Sequence, residues 1–224
     1  MIAVQRGKEP NSLLTFRKQN PNADYEDMST EVLRDVRNQM WEEQGHLCAY
    51  CMKMINDPRD VRVEHCRPRH PKDEKEHDRK ATLNFKWMLG VCYGNSLKKG
   101  IKKEDTTCDA HKGNTELTIN PFDELSVRKI KYKADGSIYS DDVDINKDVT
   151  ETLNLNCQAV SLPQTRKSVL MAEKKRIMDK CKGKSQESYV NELKRTYEKL
   201  VQERNLIPYC GIIISWLEDK LKIS

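Results

Sequence analysis

Cys48-Ala49-Tyr50-Cys51 is a CxxC knuckle, a spacing that lets two thiolates and the backbone amides of one tight turn converge on a tetrahedral ion. On its own the pair serves thiol redox chemistry equally well. Two further cysteines, Cys92 and Cys108, bracket a lysine-rich stretch, and four thiolates together make a closed structural zinc site. The plainer alternative is that Cys92 is buried beside Val91 and Cys108 is incidental. A coordinated zinc contributes on the order of 10 kcal/mol to folding, so a loop-rich unit built around one can dispense with a large core.

The segments on either side fit such a unit. Ser-Thr-Glu-Val-Leu-Arg-Asp-Val from Ser29 is capped, and Val32, Leu33, Val36, Met40 and Trp41 recur at helical spacing up to Gly45, so a helix delivers the chain to the knuckle. Residues 1–28 read as an irregular arm or short strand. After the knuckle, Asn56-Asp57-Pro58-Arg59 breaks the chain between Met52-Lys-Met-Ile and Val61-Arg-Val-Glu, which predicts a short hairpin. Residues 67–80 read as a loop, 83–92 as a buried helix or turn, 93–107 as an inserted loop, and 109–114 as the opening of a short helix. A second hairpin is expected around Asp135-Gly136. Beyond it, residues 166–205 form a charged helical stretch broken near Gly183, followed by an apolar helix over 207–217. Mixed charges at helical spacing there, as in Lys194 with Glu198, are those of a solvated face.

Between the two halves of the cysteine set lies Val61-Arg-Val-Glu64-His65-Cys66-Arg67-Pro68-Arg69-His70, in which Glu-His ends a β pattern and Arg-x-Arg follows. Phosphodiester cleavage needs a base to activate water, a divalent ion to stabilise developing charge, and a cation to hold the phosphate. An imidazole, a carboxylate and basic neighbours are suited to those roles. Cys108-Asp-Ala-His111-Lys112-Gly113-Asn114 sets a second imidazole three residues after a zinc ligand.

Over residues 46–114 the chain resembles the HNH (ββα-metal) endonuclease family: CxxC, a Val-Glu-His-x-x-Pro strand end, an apolar segment closing on a cysteine, then Cys-x-x-His-Lys-Gly. More narrowly it is similar to the PtuB nucleases of the Septu and retron anti-phage systems, to which Leu153-Asn-Leu-Asn156 and the basic helical tail also correspond. The resemblance implies an α+β fold with a zinc-stabilised nuclease unit over residues 29–125, after an arm over 1–28 and before a hairpin and helical region over 126–224. It implies His65 as general base, and Glu64 and His111 as ligands of a catalytic Mg2+ or Mn2+ ion. It implies a nucleic-acid substrate and a PtuA-type ATPase partner, with a retron reverse transcriptase and its RNA-DNA product as further associates. The chain departs from the family at the middle Asn, which orients the base through a backbone contact. That position falls near Trp87, and Asn84 and Asn95 are the candidate substitutes.

Arg67, Arg69 and Lys112, together with Lys98, Lys99, Lys102 and Lys103, flank the expected site and suit a phosphate backbone, in contacts that would be salt-sensitive and sequence-blind. For any one of them a solvated charge is the plainer reading. His46 is expected to pack on the knuckle, His70 and His77 to be solvated, and Cys66, Cys157, Cys181 and Cys210 to be buried or surface thiols. Forty basic residues against 35 acidic ones give a net charge of only +5, which permits nucleic acid without demanding it. No apolar run approaches the ~20 residues of a membrane span, and the first residues lack a secretory pattern. Both readings place the chain in the cytoplasm, where eight cysteines are expected to ligate metal or lie buried rather than form disulfides. Two other functions remain open: a catalytically degenerate HNH-fold binding or scaffold protein, and a thiol redox protein built on Cys48 and Cys51.

Overall fold

Helix α2 (Thr30–Glu43) starts where the Ser29 hydroxyl accepts a hydrogen bond from the Val32 amide, and it buries Val32, Val36 and Met40 on one side. The computed structural model describes residues 1–69, 79–204 and 206–223. The expected arm is partly helical: α1 (Asn11–Gln19) packs on α2 with Leu13 fully buried, and a single 3₁₀ turn follows at Tyr25–Asp27. Three apolar residues, Leu13, Leu14 and Phe16, are too few to register as a period, yet enough to dock a short helix.

The first hairpin expectation is overturned. The Met52–Ile55 stretch folds back on its own knuckle, through a Leu47–Met54 bridge and bonds from the Cys48 amide to the Lys53 carbonyl and from the Ile55 amide to the His46 carbonyl. Strand β1 (Arg62–His65) therefore pairs antiparallel with β2 (Met88–Val91), setting Glu64 opposite Leu89 and His65 opposite Met88. Residues 83–92, expected as a buried helix or turn, supply that strand. Its free edge is covered by the buried Gln44 amide, which donates to the Gly90 carbonyl at 2.6 Å and accepts from the Gly90 amide at 2.8 Å.

Between the strands lies α3 (Arg79–Thr82), and after them α4 (Cys108–Lys112). Helix α5 (Glu124–Arg128) leads into the Asp135-Gly136 hairpin of β3 (Ile130–Tyr132) and β4 (Ile138–Ser140), as the turn signal predicts. Helix α6 (Val143–Lys147) and a π turn at Asp148–Thr152 connect it to three long helices: α7 (Leu162–Cys181), α8 (Gln186–Val201) and α9 (Cys210–Leu221). The break between α7 and α8 carries Gly183 at positive φ. One core surrounds the β1–β2 sheet and α2; a second joins the α7–α9 bundle to Leu47 and Met52 of the knuckle. About half of the chain is helical, and the α+β class holds. No described helix is long and apolar enough to cross a membrane.

Candidate metal centre and histidine site

The four cysteines converge. Sγ of Cys48 lies 3.9 Å from that of Cys108, Cys92 lies 3.8 Å from Cys108, and Cys51 lies 3.7 Å from Cys92. All four sulfurs are within 4.8 Å of one another. A tetrahedron with Zn–S bonds of about 2.3 Å has sulfur–sulfur edges of about 3.8 Å, so the set fits a structural zinc. Among the described residues it is the one group of three or more potential ligands that converge in this way.

Gly94 makes the convergence possible. It sits at φ +55°, and a Cβ there would lie 2.0 Å from the Thr107 carbonyl oxygen. Only glycine lets the backbone after Cys92 approach so near the backbone before Cys108. Cys157 and Cys210 are buried elsewhere, Cys66 and Cys181 are partly buried, and none of these four belongs to the cluster. His46 stacks on Trp41 at 3.5 Å between ring centroids and is not a ligand.

Neighbouring residues of a strand point to opposite sides, and Glu64 and His65 meet different surroundings. Glu64 Oε1 accepts from Tyr50 Oη at 3.0 Å and pairs with Lys112 Nζ at 2.7 Å, and the Asp109 carboxylate stands close enough to act on it. Burial and the Asp109 carboxylate push Glu64 up to about 7, against the pull of Lys112. Asp109 is further held by Arg62 at 2.6 Å.

His111 does not join this group. An α-helix turns about 100° per residue, so Asp109 and Lys112 share the face toward Glu64 while His111 points away. Its Nδ1 lies 2.9 Å from the Lys103 carbonyl. Lys112, expected to face substrate, is instead enclosed, with 1% of its side chain exposed. Glu64 and Asp109 are two oxygen donors withdrawn from water, the chemistry that hard divalent cations take. Asp109 and Tyr50 carry no sequence signal of their own, although each lies beside a cysteine of the cluster.

On the other side, His65 Nε2 lies 2.8 Å from the Thr82 carbonyl, and the Tyr25 ring stands edge-on at 4.8 Å. Burial, with Arg69 and Lys112 nearby, lowers His65 to about 4 in spite of the Thr82 bond, so the ring is neutral near pH 7. A carbonyl only accepts, so Nε2 carries the proton and the Nδ1 lone pair is free; Nδ1 has no hydrogen bond to any described residue. His65, Arg67, Arg69, Thr82 and Trp87 line a cavity of about 90 Å³. The Arg67 guanidinium lies 4.4 Å over Trp87; that of Arg69 lies 4.4 Å over Tyr25 and is ion-paired to Glu26.

Neither candidate asparagine touches the histidine. Asn84 caps the 3₁₀ turn at Phe85–Trp87 by accepting from the Lys86 amide, and Asn95 donates to the Asp105 carbonyl. His70 and His77 lie outside the described residues. The chain matches no protein-family profile and no curated protein.

Proposed function

We propose that the chain is a metal-dependent nuclease of the HNH type, hydrolysing phosphodiester bonds with His65 as general base. The observation that carries this reading is a buried, neutral imidazole with one nitrogen fixed by the Thr82 carbonyl and the other free, beside a cavity flanked by two arginines. In the mechanism, His65 Nδ1 takes a proton from the attacking water, and Arg67 holds a non-bridging phosphate oxygen. Glu64 and Asp109 are the carboxylates that would hold Mg2+ or Mn2+; Lys112 and Arg62 would first have to release them, and the ion would have to reach the phosphate past the His65 end of β1. The ion, when bound, supplies stabilisation of the negative charge that develops at phosphorus. Zinc in the cysteine cluster is architectural: Cys108 opens α4, which carries Asp109 and Lys112 to Glu64.

A PtuA-type ATPase, and a retron reverse transcriptase with its RNA-DNA product, enter as proposed partners through the resemblance alone, as does a role in anti-phage defence. A second reading, a degenerate HNH-fold binding protein, is favoured by one observation: Lys112 already neutralises Glu64, and His111 turns away from it. The deciding experiment incubates wild-type protein and His65→Ala with plasmid DNA and total RNA, in Mg2+ or Mn2+, with and without the ATPase. Cleavage by the wild type alone supports the nuclease. Binding without cleavage in every lane supports the scaffold.

A further inference from the structure

We infer that residues 24–27, which precede the expected nuclease unit, position His65 by holding Thr82 from behind. The inference rests on the reading of His65 as the base.

Thr82 ends α3, and the last carbonyls of a helix have no partner within it. The Thr82 carbonyl accepts from His65 Nε2 at 2.8 Å. Yet α3 has only four residues, too short to fix its own end by helical cooperativity. The Thr82 side chain supplies an anchor. Its hydroxyl donates to Asp24 Oδ1 at 2.7 Å and accepts from the Tyr25 amide at 3.3 Å. Asp24 is in turn held by a capping box, in which its amide donates to Asp27 Oδ2 at 2.8 Å.

The same turn places the Tyr25 ring edge-on to His65 and beneath Arg69, and Glu26 pairs with Arg69. Both Thr82 and His65 are about 5% exposed or less, so the bond between them is shielded from water, while Asp24 is half-buried. A base displaced by about 1 Å loses on the order of 100-fold in rate, which gives a remote anchor of this kind a measurable effect. Thr82 and Asp24 are positioning residues, because neither touches the reacting atoms.

The test uses full-length, zinc-loaded protein and the variants Asp24→Ala, Thr82→Val and Thr82→Ser. Long-range 1H–15N correlation spectra read the His65 tautomer directly, and kcat and KM are measured on the cleaved substrate. The wild type is expected to show Nε2–H alone. Asp24→Ala and Thr82→Val should show mixed tautomers, with kcat lower by about 10- to 100-fold and KM within about twofold. Thr82→Ser, which keeps the hydroxyl, should restore both readouts. An unchanged His65 tautomer in Asp24→Ala and Thr82→Val overturns the inference, whatever their activity. If the wild type cleaves nothing while the tautomer still responds, the base assignment fails and the positioning relay stands.

Discussion

Lys112 Nζ lies 2.7 Å from Glu64 Oε1, and the two side chains are 1% and 5% exposed. The pair ties α4 to β1, so the helix that begins at Cys108 of the cysteine cluster is latched to the strand that carries His65. Glu64 has its folded pKa raised from 4.5 to about 7, chiefly by burial and by Asp109, so the folded chain holds that proton more tightly than the unfolded chain. The resulting stability is full below about 4.5 and is lost as pH rises through 7. Lys112→Met removes the attraction that opposes the shift and moves the folded pKa higher still. Urea denaturation should show the variant losing least against wild type at pH 5 and on the order of 2–3 kcal/mol at pH 8. Equal losses at both pH values would show that the two groups are not coupled.

Gly94 and the cysteines should behave as one unit. Metal analysis of purified protein is expected to find one zinc per chain, and Cys108→Ser or Gly94→Ala should lower that occupancy. Gly94→Ala is the sharper case, since it removes no ligand and acts only through the 2.0 Å clash with the Thr107 carbonyl. Chelation of zinc from the wild type should destabilise the β1–β2 sheet along with the knuckle, because Cys48, Cys51 and Cys108 belong to the same core as Val63 and Leu89 and Cys92 packs against it. Full zinc occupancy in Gly94→Ala would mean that the backbone can relax around the added methyl group.

Helix α2, the Asp135-Gly136 hairpin and the break at Gly183 were legible because each signal is local: a serine cap, a turn dipeptide, a glycine between helical runs. The four clustered cysteines were legible by residue type. The partner of β1 was not, because Met88–Val91 is buried along its whole length and lacks the alternation that marks a half-buried strand. The orientation of α4 was equally hidden. Cys108, the first residue of α4, adopts a positive φ, and the helix presents Asp109 and Lys112, rather than His111, to Glu64. The orienting contact to His65 comes from a main-chain carbonyl at Thr82, which no side-chain motif can announce.

Gln44 offers a test of the sheet without touching the metal centre or the histidine. Its amide bonds both polar groups of Gly90 and also donates to the Leu47 carbonyl at 2.9 Å, so it substitutes for a neighbouring strand. Gln44→Leu keeps the bulk and removes every bond, leaving the buried Gly90 amide without that acceptor. A loss of about 2–3 kcal/mol in chemical denaturation is expected, with zinc content unchanged. A loss below about 0.5 kcal/mol would show that water replaces the side chain.

Arg67 and Arg69 flank the same cavity but stand in different electrostatic states, and nucleic-acid binding should separate them. Arg67 lies over Trp87 and has no carboxylate partner among the described residues, whereas Arg69 is compensated by Glu26. A free guanidinium releases a counterion from the phosphate backbone when it binds; one already paired must first give up its carboxylate. Arg67→Ala should therefore weaken binding across all sequences and reduce the slope of log K against log salt by about 0.7–0.9. Arg69→Ala should change the slope less, and Glu26→Gln should increase affinity by removing one negative charge from beside Arg69. Fluorescence anisotropy over a salt series on a labelled oligonucleotide measures all three. Identical slopes for Arg67→Ala and the wild type would remove Arg67 from the phosphate contact and leave its place over Trp87 as packing alone.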